Sequence, residues 1–174
     1  MGRGALSSGP TSPGELARAQ GARGRAIGLY EESLGLLRAL GVKPLVALVL
    51  HNLGLAVLPD QPGRAAALFA ESLRINQDLG DQRAIAECLA GLVGVAAYSG
   101  QPARAVRLAG AAAALLAQLG TCLEPADQRQ YDQALAAAQA RLDPAARATA
   151  WAAGQALSCG QAAAYAQAEA DDRP

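Results

Sequence analysis

Apolar and small residues recur at three- and four-residue steps through Ala26, Leu29, Tyr30, Ser33, Leu34 and Leu37, and again through Ala65, Leu68, Phe69, Ser72 and Leu73. That spacing builds one apolar stripe along an α-helix, and such a stripe has to face another helix. The two stretches are copies of one another. GRAIGLYEESLGLLRALG from Gly24 and GRAAALFAESLRINQDLG from Gly63 share Gly, Arg, Ala, Leu, an aromatic, Glu, Ser, Leu and a closing Leu-Gly, 39 residues apart. A weaker third copy, ARAVRLAGAAAALLAQLG from Ala103, keeps Arg104, Ala105, Leu108 and Leu119-Gly120 at a step of 40. A near-constant period of this length predicts a helical solenoid.

Two further apolar segments, Pro44 to Leu58 and Arg83 to Tyr98, lie between the copies and end in proline-containing turns, so each repeat is predicted to be a pair of helices. Pro62 and Pro102 fall near the first position of the following helix, where a missing N–H costs nothing. Gly41, Gly80 and Gly120 fall just past the repeated helix, where a left-handed cap is cheapest. The last third departs from the repeat: a polar-faced helix over Pro125 to Leu142, a short one opened by Asp143-Pro144 and running through Trp151, and one capped by Ser158 and ending near Glu169. These predict a terminal cap, with Trp151 as the large side chain that closes the last apolar face. The predicted organisation is a disordered Gly/Ser/Pro-rich leader over 1–12, repeats over 13–120, capping helices over 121–170 and a fraying tail over 171–174. The repeat region is read as a half repeat from Gly14 followed by about two and a half helix pairs.

Composition supports an all-α chain. About a quarter of the 174 residues is Ala and about a seventh Leu, while aromatics make up only 3%, so the apolar fraction comes from strong helix formers. Fifteen basic side chains balance fifteen acidic ones, and Lys43 is the only lysine. No electrostatic footprint for nucleic acid or an anionic membrane results. Cys88, Cys122 and Cys159 are odd in number and widely spaced, which fits reduced thiols in a cytoplasm. The N-terminal residues lack the apolar centre of a signal peptide, and the run from Leu45 to Leu58 is too short and too interrupted to span a bilayer.

Candidate chemistry is sparse. Gly4 to Thr11 has the two glycines and the threonine of a phosphate-binding loop, but Pro10 stands where the lysine belongs and no strand precedes it. His51 is the only histidine, so no histidine-pair metal site is expected, and any Ser, His and acid set would have to include it. Its expected place is a helix surface on the groove side. Glu71 and Arg74 read as an ordinary helical pair. No cofactor, metal or catalytic residue is predicted, and the chain is not expected to be an enzyme.

The Leu53-Gly54 pair, the turn after it, and Ala65, Phe69 and Ser72 in the second helix resemble tetratricopeptide repeats (TPRs) over about residues 14 to 120. Departures occur at Val93, where the glycine equivalent to Gly54 is expected, and at Ala109, where an aromatic is. The strings AVRLAGAAAALLAQLG, EPADQRQYDQALAAAQARL and AWAAGQALSCGQAAAYA are similar to the C-terminal sensor region of bacterial LuxR-type transcriptional regulators carrying an AAA-like signalling ATPase. The resemblance implies a right-handed TPR-like α-solenoid of antiparallel helix pairs with a C-terminal helical cap. Ala26, Tyr30, Gly54, Ala65, Phe69, Ala105 and Trp151 would be its structural positions.

It further implies a truncated or separately encoded piece of such a regulator, whose ATPase and helix-turn-helix domains lie outside this chain and would be among its partners. The expected function is a cytoplasmic, non-catalytic module that binds a protein, peptide or effector in its concave groove. By repeat register that groove is lined by Leu48, His51, Leu55, Glu87 and Ala90. Alternative readings are a structural spacer, a unit that dimerises through Ala105 to Leu119, or a free-standing TPR adaptor.

Overall fold

A computed structural model describes residues 22–168. The leader, the half repeat from Gly14, the phosphate-loop candidate and the tail lie outside the described residues. Among those residues the fold is all-α, with eight helices and no strand: α1 Arg23–Leu40, α2 Lys43–Val57, α3 Pro62–Leu79, α4 Gln82–Tyr98, α5 Pro102–Gln118, α6 Pro125–Gln139, α7 Pro144–Gln155 and α8 Cys159–Gln167.

Local signals set the boundaries. Gly41 and Gly80 follow α1 and α3 with φ of 69° and 70°, and their N–H groups return to carbonyls of the last turn. Asp81 and Asp143 cap α4 and α7 by accepting from the N–H of Ala84 and Ala146, and Ser158 with Gln161 forms a capping box on α8. Two ends differ from the sequence pattern. α6 stops at Gln139, because Arg141 and Leu142 turn back onto the carbonyls of Ala138 and Gln139. α7 continues beyond Trp151 to Gln155, since none of Ala152, Ala153 and Gly154 demands a non-helical backbone.

From α1 to α5 each helix packs on the next, and α2 also packs on α4. Connections this short make neighbouring helices antiparallel. The salt bridges Arg38–Glu71 and Arg64–Glu31 join α1 to α3, each across 33 residues, so these two helices run in the same direction. Glu71 is thereby taken by Arg38, whose Nη2 lies 2.7 and 2.8 Å from its two carboxylate oxygens. The helical pair expected with Arg74 gives way to this bridge between helices.

α2 and α4 are buried almost all round, from Leu50 to Leu58 and from Cys88 to Ala96, as helices sandwiched between others must be. Phe69 of α3 fills the space between them, its ring against Gly54 of α2 and Gly91 of α4. Thus the α4 residue that receives the ring is Gly91, two positions before the Val93 of the repeat register. Ser72, fully buried, donates from Oγ to the Ala47 carbonyl at 2.8 Å and accepts from Cys88 Sγ and Asn76 Nδ2, each at 3.3 Å.

α5 packs closely against α7: a Cβ on Gly154 would fall on the Arg107 carbonyl, and one on Gly110 on that of Trp151. Trp151 itself is half-buried. Most of the Ala105 to Leu119 face offered above as a dimer surface, from Ala105 and Val106 to Ala112 and Leu115, is thus already buried within the chain. α8 packs on α3, α4 and α5. Arg104 donates to the carbonyls of Tyr165 and Ala166 at its C-terminal end, and the Arg104 and Arg107 guanidinium groups lie 4.8 and 4.3 Å from the Tyr165 ring centre. None of the helices among the described residues is long and apolar enough to cross a membrane.

Candidate functional site

Three helical stripes meet at one cleft. α2 contributes His51 and Leu55, with Leu58 just after it, and α4 contributes Glu87, Ala90, Gly91 and Gly94; both sets sit at three- and four-residue steps. Opposite them stand Asp127, Gln130 and Tyr131 of α6, with Leu123 just before that helix. Each set shares one helix face because its spacing matches the helical period. The free space between them holds about one water molecule.

α6 packs on α4 and α5 and is tied to α2 and α5 by polar contacts. Gln130 Nε2 donates to the Leu55 carbonyl at 3.3 Å, and the Tyr131 hydroxyl donates to the Ala109 carbonyl at 3.5 Å. Arg83 of α4 holds Glu87 at 3.0 Å and reaches Glu124, the residue before α6, at 3.7 Å. Asp127 lies in the first turn of α6, where a carboxylate is favoured by the helix dipole.

His51 is the electrostatic centre of the cleft. It is 6% exposed, with Nε2 3.9 Å from Asp127 Oδ2. Its ring meets Phe69 edge-on, with centres 5.5 Å apart. Burial alone disfavours the imidazolium, but the Asp127 carboxylate and the adjoining Cys88 outweigh it and push His51 up to about 10. The direction favours the imidazolium, and His51 Nδ1 is buried, with Cys88 adjoining the ring. Tyr131 is pushed up to about 12, first by burial and then by the charge of Asp132.

No protein-family model, curated protein or solved structure matches the chain. Geometry therefore carries the reading of the site.

Four of the five residues assigned to the groove by repeat register, His51, Leu55, Glu87 and Ala90, line this one cleft. Leu48, one turn before His51, stands outside it and is 43% exposed. The register places these side chains outward, on the face where α6 lies; His51, Leu55 and Ala90 are consequently buried and not open to solvent. Sequence reasoning missed Asp127 and Cys88 as neighbours of His51, and missed Gln130 and Tyr131 altogether. The available signal was the stripe Asp127, Gln130, Tyr131 on a helix otherwise judged only as polar.

A thiol, an imidazole and a carboxylate thus come together, the residue types of a nucleophilic triad. Cys88 is fully buried and its thiol donates to Ser72, which leaves a substrate no route to the sulfur. No set of three or more His, Cys, Asp or Glu among the described residues is placed to hold a metal ion.

Proposed function

We propose that this chain is a non-catalytic interaction module, a TPR-like right-handed solenoid of antiparallel helix pairs whose inner face, built by α2 and α4, binds a protein or peptide. Its repeats resemble the sensor region of LuxR-type regulators with a signalling ATPase, and in that setting occupancy of the inner face would bias the ATPase from the cytoplasmic side. The observation that carries the reading is the seating of α6 on His51, Leu55 and Ala90: this surface accepts a helix laid across it, with polar anchors at its edges. Further support comes from the shared direction of α1 and α3, as stacked repeats require, and from α2 packing on α4.

The experiment is site-specific photo-crosslinking in source cells. A photoreactive side chain is placed at Leu48, exposed on the inner-face register of α2, and separately at Leu36, 63% exposed on α1. The module reading expects a discrete adduct from position 48 and none of the same mass from position 36. Adducts from position 36 alone, or none from either, contradict it.

A further inference from the structure

We infer that the outward stripe of α1, formed by Arg25, Leu29, Glu32, Leu36 and Leu40, is a docking surface for a helix of another molecule that lies alongside α1 in the same direction and carries a glutamate followed seven residues later by an arginine. The inference stands on α1 and α3 and is independent of the inner face of α2 and α4.

The joint between α1 and α3 supplies the pattern. α3 offers Arg64 and Glu71, two turns apart and so on one helix face, and α1 answers with Glu31 and Arg38. Arg38 Nη2 reaches both oxygens of the Glu71 carboxylate, at 2.7 and 2.8 Å, in charge-assisted contacts that fix the register of the two helices. Leu68, Ile75 and Leu79 continue the stripe of Arg64 and Glu71 at three- and four-residue steps, and Leu68 and Ile75 are half-buried. The device is not used again further along: Ala70 and Gln77 hold the α3 positions equivalent to Glu31 and Arg38, and Gln77 instead accepts from Gln167 of α8 at 2.8 Å. That side of α3 is taken by α8, which leaves α1 as the open side.

α1 carries the α3 stripe one repeat earlier. Each of its five residues stands 39 positions before the matching one among Arg64, Leu68, Glu71, Ile75 and Leu79, and four of the five pairs are identical. Because α1 turns Glu31 and Arg38 toward α3, helical period sends this second stripe to the opposite side. There it is uncovered. Leu36 and Leu40 are 63% and 74% exposed, against 44% for Leu79. Arg25 and Glu32 are exposed where Arg64 and Glu71 are half-buried, and neither has an ion-pair partner among the described residues. Exposed leucines framed by charges of both signs mark a contact surface.

Charge complementarity identifies the occupant: what Arg25 and Glu32 require is what Arg64 and Glu71 receive, a glutamate and an arginine two turns apart on a parallel helix. This chain has no second such helix. Glu31 is its only acidic residue with a basic one seven positions further on, and that pair is engaged by α3. Two copies meeting antiparallel would match Arg25 with Glu32 but carry Leu36 and Leu40 past the start of the other copy's α1. A parallel helix covers the whole stripe, charges and leucines together.

The test uses the full chain and, as probe, a fluorescent peptide of residues 22–42, the one helix known to answer this stripe. A lactam bridge between Ala26→Lys and Tyr30→Glu, away from the Glu31 and Arg38 edge, locks it as a helix, and circular dichroism establishes its helicity and that of each chain variant. Saturable binding to the wild-type chain is expected. Reversing the chain with Arg25→Glu and Glu32→Arg should weaken it about tenfold or more, and a peptide with Glu31→Arg and Arg38→Glu should restore it on the reversed chain. Leu36→Asp should weaken binding to a similar extent with Tm unchanged. No binding by the wild-type chain overturns the proposal, as does a reversed chain that binds the two peptides alike. Sedimentation of the chain alone is expected to give a monomer; a dimer that Leu36→Asp dissolves would assign the stripe to a second copy and overturn it too. Crosslinking from position 48 reads a different face, so this inference and the module reading can each fail alone.

Discussion

The Phe69 ring of α3 occupies the space that a Cβ on Gly91 of α4 would need, with its Cε1 2.5 Å from that position. The same ring stands 2.9 Å from the Cβ position of Gly54 on α2. One aromatic side chain thus sets the spacing of three helices, and two glycines let it do so. The ring also braces His51, so packing in the core and geometry in the cleft are linked through Phe69.

Gly91→Ala should therefore destabilise the chain by about 1–3 kcal/mol through overpacking, and Gly54→Ala by less, because its overlap is smaller. Thermal unfolding followed by circular dichroism measures both. Combining Gly91→Ala with Phe69→Leu should cost less than the sum of the two single changes, since the smaller side chain relieves the overlap. Strict additivity would mean the ring is not what the alanine meets.

At the α5–α7 crossing the obstruction is backbone, which cannot rotate away as a ring can. Gly154→Ala directs a methyl group at the Arg107 carbonyl. We expect α7 to lose its seat, by about 3 kcal/mol or more, while α2 to α4 remain folded. Limited proteolysis should then cut within residues 140–157 and leave a protected N-terminal fragment. Uniform protection equal to that of the wild type would contradict the close crossing.

The charge on His51 makes stability depend on pH in a defined direction. Its folded value, about 10, lies above its ordinary 6.5. The stabilisation from the imidazolium is thus fully present below about pH 6.5 and is lost as pH rises through about 10. The groups facing the ring are Asp127 from α6, Phe69 from α3 and Cys88 from α4, with Glu87 of α4 and Tyr131 of α6 on the same cleft. Because the chain has one histidine, a single imidazole resonance reports the titration without assignment. Asp127→Asn should lower its midpoint by on the order of two pH units and flatten the fall of Tm between pH 7 and 10. An unchanged midpoint would remove Asp127 as the cause.

Much of the fold is legible in local sequence. The Gly41 and Gly80 caps, the prolines in first turns, and the Asp143 and Ser158 caps act within a few residues of themselves, so the helices could be placed from pattern alone. What pattern could not supply is which stripe meets which. Repeat register grouped Leu48, His51, Leu55, Glu87 and Ala90 on one face, and all but Leu48 line one cleft, because helical period alone sets that spacing. It gave no sign that α6 lies over them, since Gln130 reaches Leu55 across 75 residues and nothing local to α6 marks that contact. For the same reason Glu71 was paired with Arg74 along its own helix, whereas its partner is Arg38, 33 residues earlier. Gly91 escaped notice because a strict 39-residue step points to Val93, and the actual packing follows the Phe69 ring.

Glu87→Arg tests most directly whether the α2–α4 face is where this chain meets its partner. Glu87 lies on the edge of the cleft and pairs with a half-exposed Arg83, so its reversal should leave Tm within a few degrees of the wild type. The measurement is the yield of the position-48 crosslink in cells, taken beside Tm of the purified variant. Loss of the adduct with Tm retained is the predicted result; an adduct of undiminished yield, or a loss that only follows a fall in Tm, would contradict the account.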